Sequence, residues 1–231
     1  MKTLSQYIEE RLIINRNFKQ KEQFKPSTAQ ELYHYINLCV DELIENDCDV
    51  LDMSNVDVSS MRTTSSDDNP LYQIFMQPCR KIHKKNITID VSYWDVTKYA
   101  RIDCVFFGCS CIEKVEGLET WDVSNATDLS GMFSQCINLK SVNVSKWNLE
   151  KAKSTISMFY KCRNLTKIDG IDTWKFAHSS RINMSNMFYD CYNLRDIGDI
   201  EYWWNITGNI DSMFYNCNRL TPPSWYREIY K

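Results

Sequence analysis

The chain has 231 residues with a formal net charge of −3. This balance argues against a surface that depends on many phosphate contacts, and so against nucleic acid as a partner. No stretch approaches the roughly 18 apolar residues that mark a bilayer-spanning helix, so no membrane partner is expected either.

Residues 1–15 predict a short amphipathic helix, a candidate tether or targeting element, with Leu4, Tyr7, Ile8 and Leu12 on one face. Thr3 and Gln6 stand at capping-box spacing. The amino terminus has no apolar signal-peptide core and no lipobox-like Cys, which predicts a protein that is cytoplasmic in the producing cell. Residues 16–25 are polar, lack periodicity and are read as a linker. Residues 26–49 form a stronger helix start, Thr28 and Glu31 at capping-box spacing and Leu32, Ile36, Cys39, Val40 and Leu43 at helical spacing through about Glu45. This segment is expected to be a helical cap over the first repeat unit.

Residues 50–231 are read as a repeat array with a C-terminal cap. Met-Phe-x-x-Cys-x-x-Leu, or a close variant, recurs five times, ending in the Cys positions Cys109, Cys136, Cys162, Cys191 and Cys217, which are 27, 26, 29 and 26 residues apart. A Trp opens each unit: Trp94, Trp121, Trp147, Trp174 and Trp203. Leu51-Asp52-Met53-Ser54-Asn55-Val56 is matched to Trp121 to Ala126 as the opening of a first, degenerate unit. A loop from Arg62 to Pro70 interrupts that unit, and Ile74-Phe75…Cys79…Ile82 and Ile89 to Trp94 complete it. The short run Arg80-Lys81…Lys84-Lys85 is read as a solvated loop. Pro222-Pro223 ends the pattern, and Ser224 to Lys231 can form a closing turn.

A period in this range predicts a solenoid, in which each unit buries its apolar face against its neighbours. Within a unit, Leu129, Met132, Phe133 and Cys136 fall at helical spacing and predict about two helical turns. Asn138, Asn164 and Asn193 are placed to end those turns in the left-handed conformation. Leu139, Val142 and Val144 then predict a short strand that would pair in parallel with its neighbours. The expected fold is an α/β repeat solenoid, a leucine-rich-repeat-like stack of about six short helix/strand units with an N-terminal helical cap. Helical turns stack roughly 8–10 Å apart, too far for disulfides, whose Cα atoms are about 4.4–6.8 Å apart. A column of reduced thiols is therefore predicted.

No catalytic constellation emerges. His34, His83 and His178 lie in no metal or nucleophile motif, and Asp67-Asp68 sits in polar loop sequence. Cys104, Cys109 and Cys111 lack an obvious fourth ligand, and Cys109 already belongs to the recurring slot. The expectation is a non-enzyme without metal or cofactor. The slot after Met-Phe, which holds Phe107, Ser134, Tyr160, Tyr189 and Tyr215, is the remaining candidate. Tyr160, Tyr189 and Tyr215 either form an exposed partner-binding ridge or cover the neighbouring unit's backbone.

With Trp-Asp-Val-Ser-Asn-Ala-Thr-Asp-Leu-Ser-Gly-Met-Phe (Trp121 to Phe133) in view, the repeats resemble the BspA-like leucine-rich repeats, also described as the DUF285 family. Their hallmark runs close to Trp-Asp-Val-Ser-Asn-Val-Thr-Asn-Met-Ser-x-Met-Phe. Trp174-Lys175-Phe176-Ala177-His178 and Trp203-Trp204-Asn205-Ile206 lack the Asp-Val-Ser core. The resemblance implies surface proteins, adhesins and phage-encoded proteins that act by binding, with no catalytic residues. Met1 to Glu10 also resembles the short amino-terminal helix of tailed-phage proteins packaged into heads or built into virions. The expected function is a non-enzymatic interaction or scaffold protein, phage-encoded and virion-associated, with capsid or other virion proteins as partners. The alternative is an exported bacterial adhesin of the same type.

Overall fold

A computed structural model describes residues 23–63, 65, 68–82, 86–177, 181–205 and 208–229. The tether helix with Leu4, Tyr7, Ile8 and Leu12 lies outside the described residues, as do His83, His178 and Asp67.

Short β-branched segments alternate inward and outward side chains and pair in parallel. Five strands, β1 (Val50–Asp52), β2 (Ile87–Asp90), β3 (Ile112–Glu116), β4 (Ser141–Asn143) and β5 (Lys167–Asp169), form one open sheet in chain order. Leu51, Ile89, Val115, Val142 and Ile168 are among its buried residues. The outer face carries Lys114–Glu116, Lys140–Glu113 and Lys167–Asp169 pairs, which at such exposure contribute little. Beyond β5 the pairing shrinks to a bridge, Lys167↔Asp196. A second parallel ladder joins Arg101, Asp128, Ser154 and Asn183 by single bridges. The fold is α/β with an open parallel sheet.

Helix α1 (Ala29–Glu45) packs on β1 and on the short helix α2 (Met76–Cys79). Thr28 caps it, its Oγ1 accepting from Glu31 N at 3.1 Å. Glu31 reaches back to Ser27 N at 2.6 Å, one residue earlier than a standard capping box. Tyr35 is buried on its inner face, whereas Cys39 is only half-buried. Phe24, assigned by sequence to the linker, is instead part of the fold. It bridges Val56, with its N–H on Asn55 O at 2.9 Å, and stacks on Tyr35 at 4.1 Å.

Among the described residues, the expected helical turns are absent from the units that follow α2. Residues 129–136 and their equivalents are successive turns in which two positions recur with positive φ: Gly131 and Gln135, Ser157 and Lys161, Asn186 and Asp190, Ser212 and Asn216. These residues precede the Cys, so Asn138, Asn164 and Asn193 do not take the left-handed role. A left-handed residue every four positions is incompatible with an α-helix. The N–H groups turn sideways instead: Gly131, Phe133 and Gln135 donate to Ile156, Met158 and Tyr160 carbonyls at 2.8, 2.9 and 2.7 Å. Repeated left-handed residues cost roughly 1 kcal/mol each, and these inter-repeat bonds, about 1 kcal/mol net each, offset that cost. Adjacent turns are therefore directly hydrogen-bonded, not held apart at the spacing of packed helices.

The first unit is also shifted. Leu51 and Asp52 pair with Ile89 and Asp90, so Leu51-Asp52-Met53-Ser54 matches Ile89-Asp90-Val91-Ser92 and not Trp121 to Ser124. Counting on in that register, Val56 takes the Trp slot, and Asp57, like Asp95 and Asp122, accepts from a backbone N–H two residues on.

Identical side chains stack because adjacent backbones sit at sheet spacing. Phe75, Phe106, Phe133, Phe159, Phe188 and Phe214 form a row with centroids 5.2 to 5.8 Å apart. The indoles form a second row, with Trp94–Trp121, Trp147–Trp174 and Trp174–Trp203 at 6.0, 6.2 and 6.0 Å. Helix α3 (Ser224–Ile229) closes both rows. Tyr226 meets Phe214 edge-on at 4.9 Å, and Trp225 Nε1 donates to Ile200 O at 3.1 Å, as Trp94, Trp121, Trp147 and Trp174 donate to the preceding repeat.

Candidate functional site

The slot after Met-Phe lies between the two left-handed positions of each turn, and Tyr160, Tyr189 and Tyr215 leave the core there. Tyr160 O and Tyr215 O accept from Gln135 N and Asp190 N at 2.7 and 2.9 Å, and Lys161 N donates to Tyr189 O at 2.8 Å. These bonds hold the tyrosines in register. Tyr160 and Tyr189 stack at 5.1 Å, and Tyr189 and Tyr215 at 4.7 Å. The first two are half-buried and Tyr215 is 52% exposed. The rings cover one another's faces and present their edges outward. Phe107 in the same slot is half-buried, and Ser134 is buried.

One cation lies over a ring of the row and a second over Tyr192, outside it. Lys161 Nζ lies 4.9 Å from the Tyr160 centroid, and the Arg163 guanidinium 5.9 Å from that of Tyr192. Among the described residues neither is in an ion pair. Desolvation, then the Asp190 charge, raises the Tyr189 phenol above its ordinary value. Asp190 is itself buried and accepts from Asn216 Nδ2 at 2.8 Å. Beside the tyrosines runs an amide ladder: Asn138 Nδ2 donates to Ser110 O, and Asn164 Nδ2 to Asn138 Oδ1, at 2.8 and 3.1 Å. Asn193 Nδ2 donates to Arg163 O at 2.9 Å. The repeated Asn two places after Cys was visible in sequence, but its role as a cross-repeat donor was not.

The cysteine slot is more than filler. Cys136, Cys162, Cys191 and Cys217 each donate Sγ–H to the Phe carbonyl of the preceding repeat at 3.0 Å. All ten cysteines are reduced, with none in a disulfide. Burial pushes Cys109 up to about 11 and Cys217 up to about 12. Cys104 Sγ donates to Ser130 O at 3.6 Å, and Cys109 Sγ to Phe107 O at 3.7 Å. Among the described residues no group of three or more His, Cys, Asp or Glu side chains is arranged to hold a metal ion. His34 is half-buried on α1, its Nε2 shielded from solvent. No helix among the described residues is long and apolar enough to cross a membrane.

The indoles serve the scaffold. Trp94, Trp121, Trp147 and Trp174 donate Nε1–H to Met53, Val91, Leu118 and Val144 carbonyls at 2.9, 3.2, 2.8 and 3.3 Å. The fold and this face define an α/β protein with an open parallel sheet, in which repeated sequence units bring equivalent side chains into stacked rows. The chain belongs to the DUF285 family, described as a Mycoplasma protein of unknown function, which matches residues 71–203 and 169–225. No curated protein and no solved structure matches it.

Proposed function

We propose that the chain is a non-enzymatic interaction or scaffold protein, a BspA-like, leucine-rich-repeat-like solenoid of about six units whose tyrosine row contacts a protein partner. The stacked Tyr160, Tyr189 and Tyr215, with Lys161 over the Tyr160 ring, support this reading. Tyr and Arg are favoured at interaction hot spots because they add large contact area at low entropic cost. A row held by backbone bonds is also pre-organised, which lowers the ordering cost of binding. The phage resemblance of the first residues makes a capsid or other virion protein the proposed partner, with Leu4, Tyr7, Ile8 and Leu12 as the tether.

The test compares wild type with Tyr160→Ser/Tyr189→Ser/Tyr215→Ser for binding to particles and lysate of the producing cell. The triple variant should melt as wild type does within a few degrees yet lose at least about tenfold in partner affinity. Undiminished binding by a folded triple variant sinks the row as the interface. Deleting residues 1–15 should abolish incorporation into particles; unchanged incorporation ends the virion reading, and secretion to the cell surface would favour the adhesin alternative.

A further inference from the structure

An open cleft of about 870 Å³ lies among Glu150, Asp172, Trp174, Lys175, Phe176 and Tyr202. That volume is within the range of small-ligand sites, about 300–1,000 Å³. It lies where the repeat abandons Asp-Val-Ser. Val96, Val123 and Leu149 are buried two residues after their Trp, but the equivalent Phe176 is half-buried. Its ring stands edge-on to Trp174 at 6.4 Å and to Trp203 at 5.2 Å. Tyr202 is 44% exposed, and its hydroxyl lies 2.8 Å from both Asp172 O and Trp174 O. Both rings are thus held in place before any ligand arrives.

The carboxylates at the cleft also differ from the aspartates that hold the repeat turns. Asp57, Asp90, Asp95 and Asp122 each spend an oxygen on a backbone N–H. Among the described residues the carboxylates of Glu150 and Asp172 have no hydrogen bond or ion pair. Asp172 is further confined by Gly198, where a Cβ would come within 2.4 Å of its Cγ and Oδ2. The one cation at the cleft among the described residues, Lys175, is exposed and forms no ion pair with either carboxylate. Aromatic surface beside uncompensated carboxylates attracts a positively charged alkylammonium through the ring quadrupole and direct Coulomb attraction.

We propose that this cleft binds an organic ammonium group, with Phe176 and Tyr202 against its alkyl shell and Glu150 and Asp172 facing its charge. The site is independent of the tyrosine row and stands whether or not that row binds a partner. Equilibrium dialysis of the full chain with radiolabelled choline tests it, against the neutral isostere in which a tert-butyl group replaces the trimethylammonium. Choline should saturate one site, the isostere should bind at least about tenfold more weakly, and Glu150→Gln/Asp172→Asn should lose about tenfold in affinity. The exposed Glu150→Gln alone, expected to fold normally, should weaken binding several-fold. Equal binding of choline and isostere, absence of saturation, saturation by glucose instead, or an undiminished Glu150→Gln overturns the assignment. Phosphatidylcholine vesicles identify the source: co-sedimentation supports a lipid headgroup, and choline binding without it supports a free ligand.

Discussion

A cysteine in this chain does two jobs at once. In the repeat slot its small apolar body fills a buried position, and its thiol hydrogen is donated to a Phe carbonyl one repeat back. Cys162→Ala keeps neither the volume nor the donor and should cost roughly 1–3 kcal/mol, measured by urea unfolding. The same burial makes these thiols weak acids in the folded state. An unfolded thiol ionises near about 8.5, whereas Cys109 holds its proton to about 11 and Cys217 to about 12. Folded-state values are raised, so the folded chain binds more protons in that window. The stability these thiols contribute is fully present below about pH 8.5 and is lost as pH rises through about 11. The urea midpoint should be clearly lower at about pH 10 than at about pH 7; equal midpoints would contradict buried protonated thiols. The cysteine slot was legible in sequence as a core position, but the carbonyl it serves belongs to another repeat and no local pattern encodes it.

At the scale of elements, the turns show where periodicity misleads. Leu129, Met132, Phe133 and Cys136 satisfy the helical pattern because both a helix and this turn place them inward. What separates the two is backbone sign, carried by Gly131 and Gln135 at φ 61° and 64°. Gln, Lys and Ser at the recurring positive-φ positions give no strong local signal. Glycine marks the more demanding places. Gly170 (φ 80°) enters the short helical turn before Trp174, and a Cβ there would sit 2.2 Å from Ser145 Cα. Gly170→Ala should therefore cost about 3 kcal/mol or more, a fall in melting temperature of roughly 6–12 °C. A drop under about 2 °C would mean the backbone can move apart there. The N-terminal cap was the most legible element: Thr28, Glu31 and the apolar spacing predict α1 to within a residue. Thr28→Ala should cost about 1 kcal/mol, read from the same urea midpoint.

At the scale of the molecule, one continuous core runs from Phe24 to Tyr226. Each end of that core needs a lid because a stack of identical rows has no intrinsic terminus. Stacking Phe24 on Tyr35 contributes at one end. At the other, Trp225 and Tyr226 extend the indole and phenyl rows with a helix in place of another repeat. Truncation after Pro223 should expose Phe214 and lower the melting temperature by several degrees with increased dye-detectable aggregation; an unchanged melt would show that the last helix is dispensable. The tyrosine row and the cleft belong to this scale too. Each Tyr is an ordinary turn residue until the repeats above and below bring its equivalents within 5.1 Å.

The sequence by itself determined the period, the inward positions of the repeats, the capped helix and the parallel strands, because these depend on spacing along one chain, and the motif from Trp121 to Phe133 carried the resemblance to the family. Which strands align in register, that Val56 takes the first Trp slot, and that the Met-Phe segment is turn and not helix were decided only in three dimensions. The physical reason is common to all three. Their hydrogen bonds run between residues far apart in sequence, as in Phe133 to Met158 and Leu51 to Ile89, and such pairing competes with local helix formation on terms a local pattern does not contain.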